Sequence, residues 1–329
     1  MKTAPTVVGG SVYFGSCDGY FYAVDKTNGQ LQWKYDITQD GDVDGFHRNA
    51  VVSDGIIYIG SDLAGRWWGD GMVHAFDTKS GEAKWKFLVK NGDGVLITPC
   101  IDGNKIYFGA DDHRFYVLDK NTAEVLWKFE TKGDMKSSPV IDGDLVYFGS
   151  ADHNFYALDK NTGELKWKRN IGRSIQSSPG VFNGEIFFGA NAGSLFGGSG
   201  KLYALDKATG EVNWTYETDG DIVSSPIVEN GRLYFGCHDG YFYAIDIPSR
   251  QLKWKYQTHG KITTFRPTLN HGKLYFGSWD DYIYCVEMET GSLVWKYKTG
   301  GDVRGGFGLA DGVLFAGSKD GKVYALLVE

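Results

Sequence analysis

Helical periodicity is missing from this chain. Nowhere in its 329 residues do apolar side chains recur at i, i+3, i+4 and i+7 over a sustained stretch. That absence excludes helical bundles and helical solenoids. Long apolar runs are missing too, and none approaches the roughly 18 residues of a membrane-spanning helix. Cysteine is scarce, with only Cys17, Cys100, Cys237 and Cys285. No Cys-x-x-Cys and no adjacent pair occurs, so buried or half-buried free thiols are expected rather than a disulfide framework. One-signed charge is lacking as well. Net charge is -7 and no block of like charge stands out, which argues against nucleic-acid binding. Catalytic signatures are absent: there is no G-x-S-x-G, no zinc pattern and no P-loop. Loose Asp, His and Lys residues alone define no reaction.

What the chain does have is a repeat. A glycine closing a short aromatic run falls at Gly15, Gly60, Gly109, Gly149, Gly189, Gly236, Gly277 and Gly317. The eight copies are spaced 40 to 49 residues apart. A tryptophan ends each unit at Trp33, Trp85, Trp127, Trp167, Trp214, Trp254 and Trp295, and the eighth unit has none. Each unit holds four short segments rich in Val, Ile, Tyr, Phe and Trp; in the fourth they are residues 137–141, 145–149, 155–159 and 165–169. Asn-Gly, Asp-Gly and Thr-Gly pairs separate them, as tight antiparallel turns require. Four-stranded antiparallel sheets at this period close radially into a β-propeller. The predicted fold is therefore all-β: one domain over residues 1–329, an eight-bladed β-propeller whose eighth blade lacks its outer strand. With 42% hydrophobic and 15% aromatic residues, the chain can fill the core of such a ring. Residues 1–5 align with residues 135–139, the start of a blade, so either the missing strand precedes residue 1 in a longer precursor, the favoured reading, or the last blade has three strands. A secretion signal could have been removed with it.

Length variation points to one working face. Proline to glycine is 10 residues in every unit that keeps the proline, and Asp (Glu287 in the seventh unit) to Trp is 8 in all seven complete units. Extra residues fall elsewhere. Gly60 to Asp77 and Gly189 to Asp206 are 17 apart, against 10 for Gly149 to Asp159, and Trp33 to Ala50 is also 17. These connections, second-to-third strand and fourth strand to next blade, emerge on the same end of an up-and-down sheet. Variable loops on a rigid scaffold are where binding residues concentrate. The insertions carry Arg66, Trp67, Trp68 and Phe196, and Trp279 stands in the matching loop of the seventh unit. Aromatics so placed serve as contact anchors or as caps on the ring. The same alignment puts His47, Lys136, Gln176 and Arg304 three residues before the proline position, with Arg48 and Arg266 nearby. Several cations at one mouth of an acidic protein predict a site for an anion or acidic peptide. The competing reading is a solvated rim offset by Asp134, Asp221 and Asp302.

Two further patterns carry metal readings. Asp40-Gly41-Asp42-Val43-Asp44-Gly45 resembles the first half of a Ca²⁺ loop, although position 12 is Val51 rather than Glu. His113 and His153 hold one loop position in successive units, which reads more simply as an inherited turn than as a ligand pair.

The Ala157, Asp159, Thr162, Gly163, Trp167 frame, repeated in whole or part over nearly the entire chain, resembles the tryptophan-docking repeat of the PQQ-like eight-bladed propeller superfamily. The resemblance implies that each Trp packs between neighbouring blades. It implies less about function, because the superfamily includes quinoprotein dehydrogenases, BamB-like outer-membrane assembly lipoproteins and sensor domains of kinases. The best-known quinoproteins are longer and carry an adjacent cysteine pair and an acidic Ca²⁺ cluster, which this sequence does not show. The expectation is a non-enzymatic BamB-like scaffold for a protein, peptide or small anion, with no cofactor. The alternatives are a small quinoprotein holding PQQ at the cationic mouth with Ca²⁺ near Asp40, Asp42 and Asp44, or the sensor part of a longer polypeptide. A periplasmic or extracellular location rests on the resemblance alone.

Overall fold

The computed structural model describes residues 3–40, 43–46, 48–63, 70–90, 94–191, 198–263 and 266–328, without the side chains of Val43, Asp44 and Leu63. It is an eight-bladed propeller with no α-helix among those residues. Each blade is an antiparallel sheet in sequence order from the axis outward, save that in blade 2 Val43–Gly45 also pairs with Ile56–Leu63. In blade 4 the strands are Val140–Asp142, Leu145–Gly149, Asn154–Asp159 and Leu165–Asn170. Inner strands touch neighbour to neighbour around the ring.

The repeated residues have identifiable jobs. Asp159 Oδ1 accepts the amides of Asn161 and Thr162, both at 2.9 Å. That local turn hands the chain to Gly163, whose φ of +74° suits glycine. The glycine also leaves room for a neighbour: a Cβ there would lie 2.6 Å from Trp127 of the preceding blade. Trp33, Trp167 and Trp254 sit in the same way over Gly81, Gly210 and Gly291 of the following blade. Their Nε1 groups donate to that blade, Trp33 to Thr78 O at 3.0 Å, Trp167 to Lys207 O at 3.2 Å and Trp254 to Met288 O at 3.1 Å. Stacked rings fill the space between blades, such as Phe115 on Phe148 and Phe242 on Phe276, at 4.3 and 4.2 Å.

The glycine that marks each repeat is a contact point. A Cβ on Gly15 would lie 2.1 Å from Phe46, on Gly149 2.2 Å from Ile175, and on Gly236 2.2 Å from Ile262. Those buried apolar residues each come from the connection leading to the next inner strand, and they plug the blade interface on the insertion-bearing face.

The ring closes between blades 8 and 1. Phe307–Ala310, Val313–Gly317 and Val323–Leu327 form a three-stranded eighth blade, as the missing tryptophan predicted. Gly308 lies against the inner strand of blade 1, where a Cβ would come within 2.4 Å of Pro5 O. Lys26 pairs with Asp311 across this junction. The same Lys-to-preceding-blade pair recurs as Lys160 with Asp102 at 2.7 Å, and as Lys120 with Asp54 at 2.5 Å.

Candidate functional site

The inner strands enclose an axial cavity of about 590 Å³. Its wall repeats a hydroxyl residue followed by proline. Each proline lacks an N–H, and the three serine hydroxyls serve the preceding blade: Thr98 N donates to Ser138 Oγ at 2.9 Å, Ser138 N to Ser178 Oγ at 2.9 Å, and Ser178 N to Ser225 Oγ at 3.1 Å. Asn49 substitutes for the hydroxyl residue in blade 2, and its Oδ1 accepts Ala4 N at 2.8 Å. Arg266 occupies the same position in blade 7. Arginine has no acceptor, so the relay cannot continue there. The segment from Ile262 to Pro267 is also one residue longer than that from Ile222 to Pro226.

Two guanidinium groups therefore line one cavity, Arg48 and Arg266. Arg48 is half-buried, and its Nε donates to Leu96 O. Burial pulls its pKa down to about 10, with Asp111 nearby opposing the shift. Arg266 is exposed to the channel and yet surrounded by protein, and this desolvation lowers its pKa too. Among the described residues Arg266 has no ion pair. No carboxylate lines the cavity among the described residues. Both side chains remain cationic at neutral pH, so the cavity is a positively charged well in an acidic protein.

The other predicted cations go elsewhere. Lys136 lies 3.5 Å from Asp134 and 3.9 Å from Asp111. Arg304 pairs with Asp302 and stacks on Trp279 with its Cζ 3.6 Å from the ring centre. Trp279 Nε1 donates to Thr263 Oγ1 at 2.7 Å. The ring is half-buried and held from two sides. Trp279→Ala is expected to lower stability by about 1–2 kcal/mol, since it removes a cation–π contact and a hydrogen bond. Urea unfolding measures this, and an unchanged midpoint would mean that the ring contributes nothing to the fold. Gln176 is half-buried on the same face. His47, Arg66, Trp67, Trp68, Phe196 and Asp42, and the side chain of Asp44, lie outside the described residues.

Asp40 is drawn into the protein. Its carboxylate accepts Tyr35 Oη at 2.9 Å, pairs with Lys86, and stands 3.6 Å from His74 Nδ1. No group of three or more His, Cys, Asp or Glu side chains is gathered for a metal among the described residues. His113 and His153 have φ of +66° and +71°, matching Asp281 at +70° in the same turn. They stand at a repeated left-handed turn position, and His113 Nε2 is 3.2 Å from Asp134. Cys237 and Cys285 are buried, with thiols pushed up to about 12 and about 11 by burial. Cys17, contrary to expectation, is exposed.

One constellation was invisible in the sequence. Ser61 Oγ lies 3.0 Å from His74 Nε2, and Asp40 lies beyond the other ring nitrogen. All three side chains are buried, with Ser61 and His74 at 0% exposure. These contacts tie the Ile37–Asp40 turn to the second and third strands of blade 2.

The family model described as "Outer membrane protein assembly factor BamB" matches residues 1–85, 69–176, 156–278 and 261–328. The chain belongs to that family of PQQ-like repeat propellers. BamB from Moraxella catarrhalis superposes with a TM-score of 0.76 at 20% identity, over 98% of this chain and 93% of that one. A europium-containing methanol dehydrogenase superposes at 0.75 with 15% identity, over 98% and 81%. Likeness at these identities establishes the fold alone. Quinohemoprotein alcohol dehydrogenase ADH-IIG of Pseudomonas putida is 28% identical over 153 residues, 41% of this chain and 20% of that enzyme. Quinoprotein ethanol dehydrogenase of Pseudomonas aeruginosa is 31% identical over 93 residues, 26% and 14%. The chain thus spans a fifth or less of the length of these curated relatives.

The donor set of the cavity fits part of a quinone cofactor site. Two guanidinium groups and several hydroxyls suit the carboxylates of PQQ. A wall without carboxylates among the described residues does not suit Ca²⁺ beside it.

Proposed function

We propose that this chain is a non-enzymatic binding propeller that seats an acidic segment of a partner protein over the axial channel on its insertion-bearing face. The observation carrying this reading is the pair of guanidinium groups lining one cavity, Arg266 having no ion pair among the described residues. A carboxylate entering there would meet a bidentate donor in a desolvated setting, where charge-assisted hydrogen bonds are strongest. Membership of an outer-membrane-assembly-factor family supports a protein partner and a place in the cell envelope.

Titration with an Asp/Glu-rich peptide tests the proposal. Arg266→Glu is expected to weaken binding at least tenfold, about 1.4 kcal/mol, and raised salt should weaken it further. Unchanged affinity in Arg266→Glu would sink the reading. The same two arginines favour a second reading, a small quinoprotein oxidoreductase. A rise in melting temperature with PQQ that requires Ca²⁺, together with PQQ-dependent dye reduction by alcohols, would support that reading over the scaffold.

A further inference from the structure

We propose that the axial cavity is a two-ended pocket for a small apolar carboxylic acid, its carboxylate on Arg48 and Arg266 and its hydrocarbon body against the inner strands of blades 2, 3 and 4. Chain direction sorts the cavity wall by depth. Each inner segment enters from the insertion-bearing face and runs to the opposite one. There Asp142, at the end of Val140–Asp142, pairs with Lys207 in the turn between the third and fourth strands of the next blade. The arginines therefore stand at the level of the hydroxyl residues, before the prolines.

Past the prolines the wall changes character. It is built from Val51, Val52, Cys100, Ile101, Val140 and Ile141, all half-buried. The one hydroxyl at that depth among the described lining residues, Ser53 Oγ, is already bonded to Asp54 Oδ2 at 3.0 Å. Blades 5 and 6 line the cavity no further than Pro179 and Pro226 among the described residues. A Cβ on Gly180 would lie 3.0 Å from Pro226 O, so these two inner strands close on each other and the cavity leans toward blades 2 to 4.

The two ends specify a ligand class. A polycarboxylate satisfies the guanidinium groups and brings nothing apolar to the floor. An uncharged molecule gives the guanidinium groups no counter-charge. An apolar acid with a single carboxylate serves both ends. Three residues of strand separate Ser138 from Ile141, roughly 10 Å, which an extended eight-carbon acid spans. The volume of about 590 Å³ is that of a small-molecule site. This inference rests on the guanidinium pair of the preceding reading and adds the floor.

Octanoate is the probe, titrated calorimetrically into the 329-residue protein beside butanoate and suberate. Octanoate is expected to bind about tenfold or more tighter than butanoate, because four more methylenes leave water. Suberate has the same length and would carry a second carboxylate onto the apolar floor, so it should bind about tenfold or more weaker than octanoate. Octanoate should also slow alkylation of Cys100 by iodoacetamide and leave the exposed Cys17 unaffected. Arg266→Glu should abolish octanoate binding. Val140→Asn should weaken it about tenfold while leaving the affinity for the Asp/Glu-rich peptide unchanged. Should Val140→Asn fail to fold, Cys100→Phe, which fills the floor, is the second variant. No octanoate binding, or suberate binding as tight as octanoate, overturns the proposal. Octanoate binding that leaves Cys100 unprotected, or that the floor variants do not weaken, also overturns it. Peptide binding without octanoate binding sinks this inference and spares the scaffold reading; octanoate binding without peptide binding does the reverse.

Discussion

Gly149→Ala is expected to destabilise the protein by about 2–3 kcal/mol, in the upper range for overpacking a core. The glycine has an ordinary φ, so backbone strain plays no part. The added methyl would meet Ile175 Cγ2 at 2.2 Å and Ile175 Cβ at 2.7 Å. Ile175 is fully buried and belongs to a cluster with Tyr147, Phe155 and Phe188, so it has nowhere to retreat. The cost should disappear when space is made. Gly149→Ala added to Ile175→Ala should cost little beyond Ile175→Ala alone. Urea denaturation of the four proteins gives the coupling directly. Strict additivity would show that the methyl is accommodated some other way.

Acid is expected to weaken the fold through His74. The ring is fully buried, stacked on Phe76 at 5.4 Å and bonded to Ser61, and burial lowers its pKa from 6.5 to about 4. Asp40 opposes that shift, and Lys86 adds to it. The unfolded chain takes up a proton near pH 6.5, while the folded chain does so only near pH 4. Stability from this group is therefore complete above pH 6.5 and falls as pH drops toward 4. A difference of 2.5 pKa units corresponds to about 3 kcal/mol over the full window. His74→Phe keeps an aromatic ring and removes the titration. The gap in urea midpoint between the two proteins should therefore change between pH 7.5 and pH 4.5. Parallel pH profiles would refute the assignment.

The architecture was legible because each structural decision is local. Asp159 reaches residues two and three positions on, and Gly163 turns the chain where the frame places it. Trp167 follows the Asp at a constant distance, which holds the third and fourth strands of each blade in register. Repetition multiplied these weak signals, and the missing eighth tryptophan foretold the three-stranded blade. The common face of the insertions also followed from strand order.

The site was legible only in outline. Alignment gathered the cations at one mouth, and their individual roles depended on partners far away in sequence. Arg304 is held by Asp302 and covered by Trp279. Lys136 is shared between Asp111 and Asp134. Asp40, the first residue of the calcium-like pattern, pairs with Lys86 and accepts from Tyr35. Ser61 and His74 look ordinary in the sequence, and only antiparallel pairing of their strands brings them together.

The sequence by itself determined the number of blades, their register and the face that carries the insertions, since turns and strand alternation are set between near neighbours and the repeat copies them around the ring. Only the tertiary structure decided that Arg48 and Arg266 share one cavity and that Trp279 is held against Arg304. Those outcomes depend on which side chains meet across blades once the ring has closed, and the distances and desolvation that govern such meetings are not local.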